Sequence, residues 1–149
     1  MIYVGGYHTE SGLIIRQAKE QGMKATLVGG DALVTKEFWQ IAGDSGNGTL
    51  MTFAADPSKR PAAAEVVKEF KANKIEPEGY VLYTYAAVQV FADAAKKAGS
   101  ADPKKVADTM KSSGPWATAL GPIGFDKKGD ITSSDYVFYV WKNGSYAEM

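Results

Sequence analysis

The chain opens on a short apolar run, Ile2-Tyr3-Val4, that ends in Gly5-Gly6-Tyr7-His8-Thr9-Glu10 and gives way to apolar residues at helical spacing. Residues 2–7 read as a strand, followed by a helix over 10–21 with Thr9 as N-cap and Gly22 as its stop. Thr26-Leu27-Val28 is a second strand that ends in Gly29-Gly30-Asp31. A short helix over 36–41 follows, and 49–53 reads as a third strand after a turn-rich stretch at 43–48. Strands alternating with helices at this spacing predict βαβ units and a parallel sheet.

The middle of the chain has a different pattern. Pro61 suits the first position of a helix that carries Val66, Val67 and Phe70 on one face. After Pro77 and Gly79, Val81, Tyr85, Val88 and Ala92 recur at helical spacing up to Gly99, and Asp102-Pro103 starts a further helix with Val106 and Met110. Three helices without an intervening strand do not extend a βαβ series, and they need an apolar surface to cover. Residues 117–125 look irregular, broken by Gly121-Pro122, and 126–130 reads as a turn. Residues 136–141 form a strand, joined through the hairpin-type Asn143-Gly144 to Ser145-Tyr146-Ala147.

Composition narrows the function. At 149 residues the chain holds enough material for one domain. Its 17 basic and 17 acidic residues cancel and are scattered, which argues against a nucleic-acid partner. No apolar run approaches the ~20 residues of a membrane helix. The absence of cysteine removes disulfides, thiolate metal sites and cysteine nucleophiles. The chain is read as carrying no cleavable targeting segment.

Catalytic signals are weak. His8 is the sole histidine, which rules out a histidine metal cluster, and it reads better as a polar loop residue than as a base. Ser45 lacks the spacing of a nucleophile elbow. The glycines at 43, 46 and 48 precede a strand-like run instead of the helix that a phosphate loop needs, so a plain turn is the better reading. Asn47-Gly48-Thr49 fits the glycosylation sequon, a pattern short enough to occur by chance.

Binding signals are stronger. Ligands of open α/β sheets bind at the carboxyl ends of the strands, where Tyr7 and Asp31 fall. A carboxylate beside an aromatic ring suits an ammonium-bearing ligand with an apolar body, because the ring shields the ion pair from water. The same residues read equally well as a turn aspartate and a packing tyrosine. Of Tyr80, Tyr83 and Tyr85, packing explains Tyr85, leaving Tyr80 as the more available ring.

Several segments in register resemble one family. Tyr3-Val4-Gly5-Gly6-Tyr7-His8-Thr9-Glu10, Arg16-Gln17-Ala18 and Ile41-Ala42-Gly43-Asp44 are similar to the C-terminal part of periplasmic leucine/isoleucine/valine-binding proteins. Tyr83-Thr84-Tyr85-Ala86-Ala87-Val88-Gln89, Gly121-Pro122-Ile123 and Phe125-Asp126-Lys127-Lys128-Gly129-Asp130 continue the resemblance in order. It implies a truncated type I periplasmic-binding-protein fold, α/β with a parallel sheet, containing parts of both lobes. Residues 1–53 and 132–149 would belong to the second lobe and 54–131 to the first.

The function implied is that of a non-catalytic, periplasmic amino-acid receptor of an ABC importer, with a membrane permease as partner and no cofactor. Asp31 would hold the ligand ammonium, Tyr7 would lie against the ligand, and Tyr80 would line the wall around its aliphatic side chain. The family pattern has Pro-Glu where this chain has Gly30-Asp31, and the lost methylene draws the carboxylate back by roughly 1.5 Å. A ligand-sensing module for amides or amino acids, or a fragment that folds without binding, are the alternatives. The helix face of Val66, Phe70, Val81, Tyr85 and Val88 is expected to fold onto the chain's own sheet or to pair with a second copy, giving a dimer.

Overall fold

The structure, a computed structural model, describes residues 1–133 and 135–149. In chain order the elements are β1 (Ile2–Val4), α1 (His8–Glu20), β2 (Leu27–Gly29), α2 (Lys36–Ala42), β3 (Leu50–Ala54), α3 (Ala64–Ala72), α4 (Val81–Ala98), α5 (Pro103–Ser113), β4 (Trp116–Thr118), β5 (Gly121–Ile123), β6 (Tyr136–Lys142) and β7 (Ser145–Glu148). They divide into two compact units, one made of Met1–Ala55 with Asp135–Met149 and the other of Asp56–Ser134.

The first unit is a five-stranded sheet in the order β1-β2-β3-β6-β7. The expected parallel sheet is only part of it: β1, β2 and β3 run parallel, whereas β6 and β7 are antiparallel additions. The mixture follows from the Asn143-Gly144 turn, with φ of 50° and 83°, because a two-residue hairpin can only join antiparallel strands. Both crossover helices lie on one face, as right-handed βαβ connections require. That face buries Leu27, Met51, Tyr139 and Trp141 with Ile15, Leu33 and Phe38. Trp141 is its centre, with ring centroids 5.5 Å from Phe38, 5.9 Å from Trp39 and 5.0 Å from Tyr146.

Helix boundaries correct two sequence expectations. The strand expected over 2–7 stops at Val4, where pairing with Gly29 ends. The N-cap of α1 is Tyr7 and not Thr9, since the Ser11 N–H already donates to the Tyr7 carbonyl at 3.1 Å. Gly22 does stop the helix. Its φ of +79° lets the Gly22 and Met23 N–H groups return to the carbonyls of Lys19 and Ala18, both at 2.9 Å. Gly12 sets the approach of α1 to α2: a Cβ there would lie 2.8 Å from Ile41 Cγ2.

In the second unit, residues expected to be irregular form the β4–β5 hairpin, paired from Trp116↔Ile123 to Thr118↔Gly121. Helix α4 buries Leu82, Ala86, Val90 and Ala94, a stripe one to two positions on from the expected Val81, Tyr85, Val88 and Ala92. The reason is steric, because alanines at 86 and 94 admit neighbours closely. Val90 and Ala94 form a cluster with Val106 of α5 and Trp116 of β4, so this face is satisfied within the unit. Phe70 meets Tyr85 edge-on at 5.7 Å, which half-buries the α3 side of α4. Val88 and Phe91 stay exposed. Gln89 Oε1 accepts the Ala119 N–H at 2.8 Å and ties the hairpin to α4. The Asp102 carboxylate caps α5 by accepting the Lys105 N–H at 2.9 Å, with Pro103 in the first turn. Among the described residues, no helix is long and apolar enough to cross a membrane.

Candidate functional site

The three parallel strands end at one edge of the first unit's sheet, and β6 begins there, because Ala54 of β3 pairs with Tyr136. Three short segments leave this edge. After β1, Gly5-Gly6 carries the chain to Tyr7, whose side chain is 72% exposed. Tyr7 caps α1 with its backbone alone, leaving the phenol uncommitted. After β2, Gly30 leads into a 3-10 turn over Asp31–Leu33. After β3, the Ala55 N–H donates to the Asp135 carbonyl at 3.0 Å and joins the chain's exit from the unit to its return.

The segment carrying Asp31 is held from below. Leu33 is fully buried, and Trp141 Nε1 donates to the Leu33 carbonyl at 3.0 Å. The Val34 N–H returns to the Asp31 carbonyl at 3.0 Å. These contacts fix the main chain while leaving the carboxylate unused. Asp31 is half-buried, and its carboxylate has no hydrogen bond or ion pair with the other described residues. A carboxylate without a protein partner at a strand end is available to a donor or a cation. An ammonium group is the simplest such partner.

Tyr7 and Asp31 are thus brought to one sheet edge. Tyr80 belongs to the second unit, where it is the N-cap residue of α4 and half exposed. Sequence reasoning missed Trp141 as the residue that steadies the Asp31 turn. The available signal was a tryptophan in an otherwise alternating strand, since a buried indole N–H needs an acceptor.

The rejected loops are engaged elsewhere. The glycine-rich 43–48 stretch sits at the opposite edge, where the Gly48 N–H donates to the Trp141 carbonyl at 2.9 Å. Asn47 Oδ1 accepts the Asn143 N–H at 2.9 Å, and its Nδ2 donates to the Asp44 carbonyl at 3.1 Å. The sequon asparagine is therefore already used in the fold. His8 is the first residue of α1 and half-buried. Among the described residues no group of three or more His, Asp or Glu side chains could hold a metal ion.

Comparison with known proteins places this α/β unit in a family. The family model for periplasmic binding proteins matches residues 1–145. Leu/Ile/Val-binding protein homolog 1 of Brucella suis is 50% identical over 145 residues, which is 97% of this chain and 39% of that protein. An amino acid binding protein of Pseudomonas aeruginosa is 44% identical across 100% of this chain and 40% of its own length. The leucine binding protein LivK of Thermotoga maritima superimposes with a TM-score of 0.86 at 32% identity, covering 99% of this chain and 43% of that one. LivJ of Streptococcus pneumoniae, solved with isoleucine, gives a TM-score of 0.82 at 24% identity, over 99% of this chain and 43% of that one, and speaks for the fold alone.

This chain belongs to the periplasmic binding protein family. Its fold is part of the type I architecture, and it spans 39% of the length of the first of these curated relatives.

Proposed function

We propose that the chain serves in the capture of a branched-chain or related amino acid for an ABC importer, outside the cytoplasm and without catalysis. In this reading the ligand ammonium docks on Asp31, Tyr7 lies over the resulting ion pair, and Tyr80 lines the wall beside the aliphatic side chain. The two units would be portions of the two lobes, and a membrane permease would receive the ligand. The observation that carries the reading is the Asp31 carboxylate, without a partner among the described residues, on the same strand edge as Tyr7. The names of the relatives, Leu/Ile/Val-binding and amino acid binding proteins, support the ligand class.

Calorimetric titration with L-leucine, with L-aspartate as control, tests it. Leucine is expected to bind and aspartate is not, because a charged side chain would lie along the wall assigned to an aliphatic one. Asp31→Asn removes a charge-assisted interaction of about 1.5–3 kcal/mol and should weaken leucine binding by about one to two orders of magnitude. Unchanged affinity in that variant would remove Asp31 from the site. Heat from a small amide in place of leucine would move the chain to a sensing role.

A second reading, a chain that folds without measurable binding, is favoured by its covering 39% of the relative's length. Groups on the remainder of such a protein would then be needed for the ligand carboxylate. The absence of heat with either amino acid, from protein folded by circular dichroism, would establish it.

A further inference from the structure

The main chain that carries Asp31 is fixed from two sides at Leu33, two residues further on. On one side stands Gly29, the last residue of β2, against which the Leu33 side chain is seated. A Cβ at Gly29 would lie 2.5 Å from Leu33 Cδ1 and 3.1 Å from its Cγ, so glycine alone leaves that seat open. The requirement is one of space, since Gly29 pairs regularly with Val4 of β1 and Met51 of β3. On the other side stands Trp141, whose Nε1 donates to the Leu33 carbonyl at 3.0 Å. Leu33 and Trp141 are both fully buried. The indole is held in turn by Phe38, Trp39 and Tyr146, with ring centroids 5.0–5.9 Å away.

Asp31 lies between the end of β2 and this doubly held residue. The Leu33 N–H returns to the Gly30 carbonyl at 3.3 Å, and the Val34 N–H to the Asp31 carbonyl at 3.0 Å. The turn's main chain is thus closed on itself, while the Asp31 carboxylate has no partner among the described residues. Where such a carboxylate stands is therefore set by the backbone that bears it. A charge-assisted hydrogen bond depends steeply on distance and angle, so the position of that backbone decides how well a cation is met. A carboxylate already in place also loses less freedom when the cation arrives.

We infer that Gly29 and Trp141 are positioning residues for the ligand ammonium, acting through Leu33 on Asp31. The inference rests on the reading of Asp31 as the ammonium site. Gly29 gives the Leu33 side chain its seat, Trp141 tethers the Leu33 carbonyl, and the turn between seat and tether presents the carboxylate. Neither residue touches the ligand in this arrangement. The tether also comes from 108 residues away, on a strand that pairs with β3. The ammonium site is therefore complete only once β6 has joined the sheet, which ties binding to the assembly of the whole first unit.

Two variants test the inference on the 149-residue chain, with folding checked by circular dichroism. Trp141→Phe keeps a ring in the cluster and removes the donor, and Gly29→Ala puts a methyl against Leu33. Each should weaken L-leucine binding about tenfold in calorimetric titration. In an Asp31→Asn background, Trp141→Phe should change the affinity by less than about twofold, because a residue acting through the carboxylate has nothing left to position. A loss that stays tenfold there would mean that Trp141 serves the fold alone, and overturns the inference. Wild-type affinity in both single variants overturns it too. Should one variant fail to fold, the other carries the test. An affinity unmoved by Asp31→Asn alone removes the reading of Asp31, and the inference with it. Hydrogen exchange supplies a readout without ligand, and it decides the positioning if leucine gives no heat with the wild type. The Val34 amide should exchange about tenfold faster in Trp141→Phe, relative to the amides of β3. Equal acceleration in both, or none in either, overturns the inference.

Discussion

The two units solve the same problem with opposite materials. The first places large aromatic rings at the centre, with Trp141 and Phe38 fully buried and Tyr139 beside them. Its central contacts join residues far apart in sequence, as in the 108-residue separation between Trp141 and the Leu33 carbonyl that it holds. The second buries small residues, Ala63, Ala86, Ala94 and Ala119, and gathers Val90, Ala94 and Val106 round one bulky side chain, Trp116. Its central cluster lies within the continuous stretch from Val90 to Phe125. The difference shows where binding chemistry can be held. A long-range aromatic core can anchor a strand-end turn such as that of Asp31, because the anchor comes from another part of the chain.

Truncating the central ring of the first unit is the most severe way to break this comparison. Trp141→Ala should cost about 3–5 kcal/mol through lost packing and leave the Leu33 carbonyl without its donor. Hydrogen exchange resolves the effect by unit. Amides of β3 and β6 should lose protection while those of α4 keep theirs. Equal losses in both would show that the units unfold as one, and the contrast between them would then be architectural without being energetic.

A milder change sharpens the picture on the other side. Asp102→Ala removes the cap of α5 and should lower the stability of the second unit by about 1 kcal/mol in urea unfolding. The first turn of α5 should fray, while β2 and the Asp31 turn remain as protected as before.

How much of this was legible in the sequence depended on the range of the physical cause. Gly22, Gly99 and Asp102-Pro103 marked helix ends correctly, because a left-handed φ or a side-chain cap is decided within a few residues. Tyr7 and Asp31 were legible as strand-end residues for the same local reason. The buried stripe of α4 was not. Val81-Leu82 and Tyr85-Ala86 put apolar residues on two adjoining stripes, and only the partner, α5 with Trp116, selects the one that packs. The β4–β5 hairpin was hidden by Pro122 and Gly121, which read as breakers yet occupy an edge strand of a two-stranded sheet, where proline is tolerated. The antiparallel β6–β7 hairpin was legible at Asn143-Gly144, but the pairing of β6 with β3 was out of reach, since β6 returns only after the whole second unit has been threaded. The role of Trp141 followed from that same long-range pairing.

The smallest expected effect lies on the exposed surface of α5. Lys104 Nζ donates to Asp108 Oδ2 at 2.7 Å, and Lys111 Nζ stands 3.7 Å from Oδ1. The hydrogen bond from Lys104, with its charge, holds the Asp108 carboxyl below its ordinary value of 3.8 and raises the Lys104 ammonium above 10.5. A lowered carboxyl contributes stability that is present above the unfolded value, near 3.8, and is lost as pH falls through the folded one. A raised ammonium contributes stability that is present below 10.5 and is lost as pH rises through its folded value. Both contributions are therefore complete only in the neutral range, and solvent screening keeps them small. Asp108→Asn should leave the second unit slightly less stable at neutral pH, with the gap from wild type closing in acid and shrinking in high salt. A gap that persists unchanged in acid would mean that position 108 acts through helix propensity alone, and that the surface pair adds nothing to a unit already held by its cap and its alanine core.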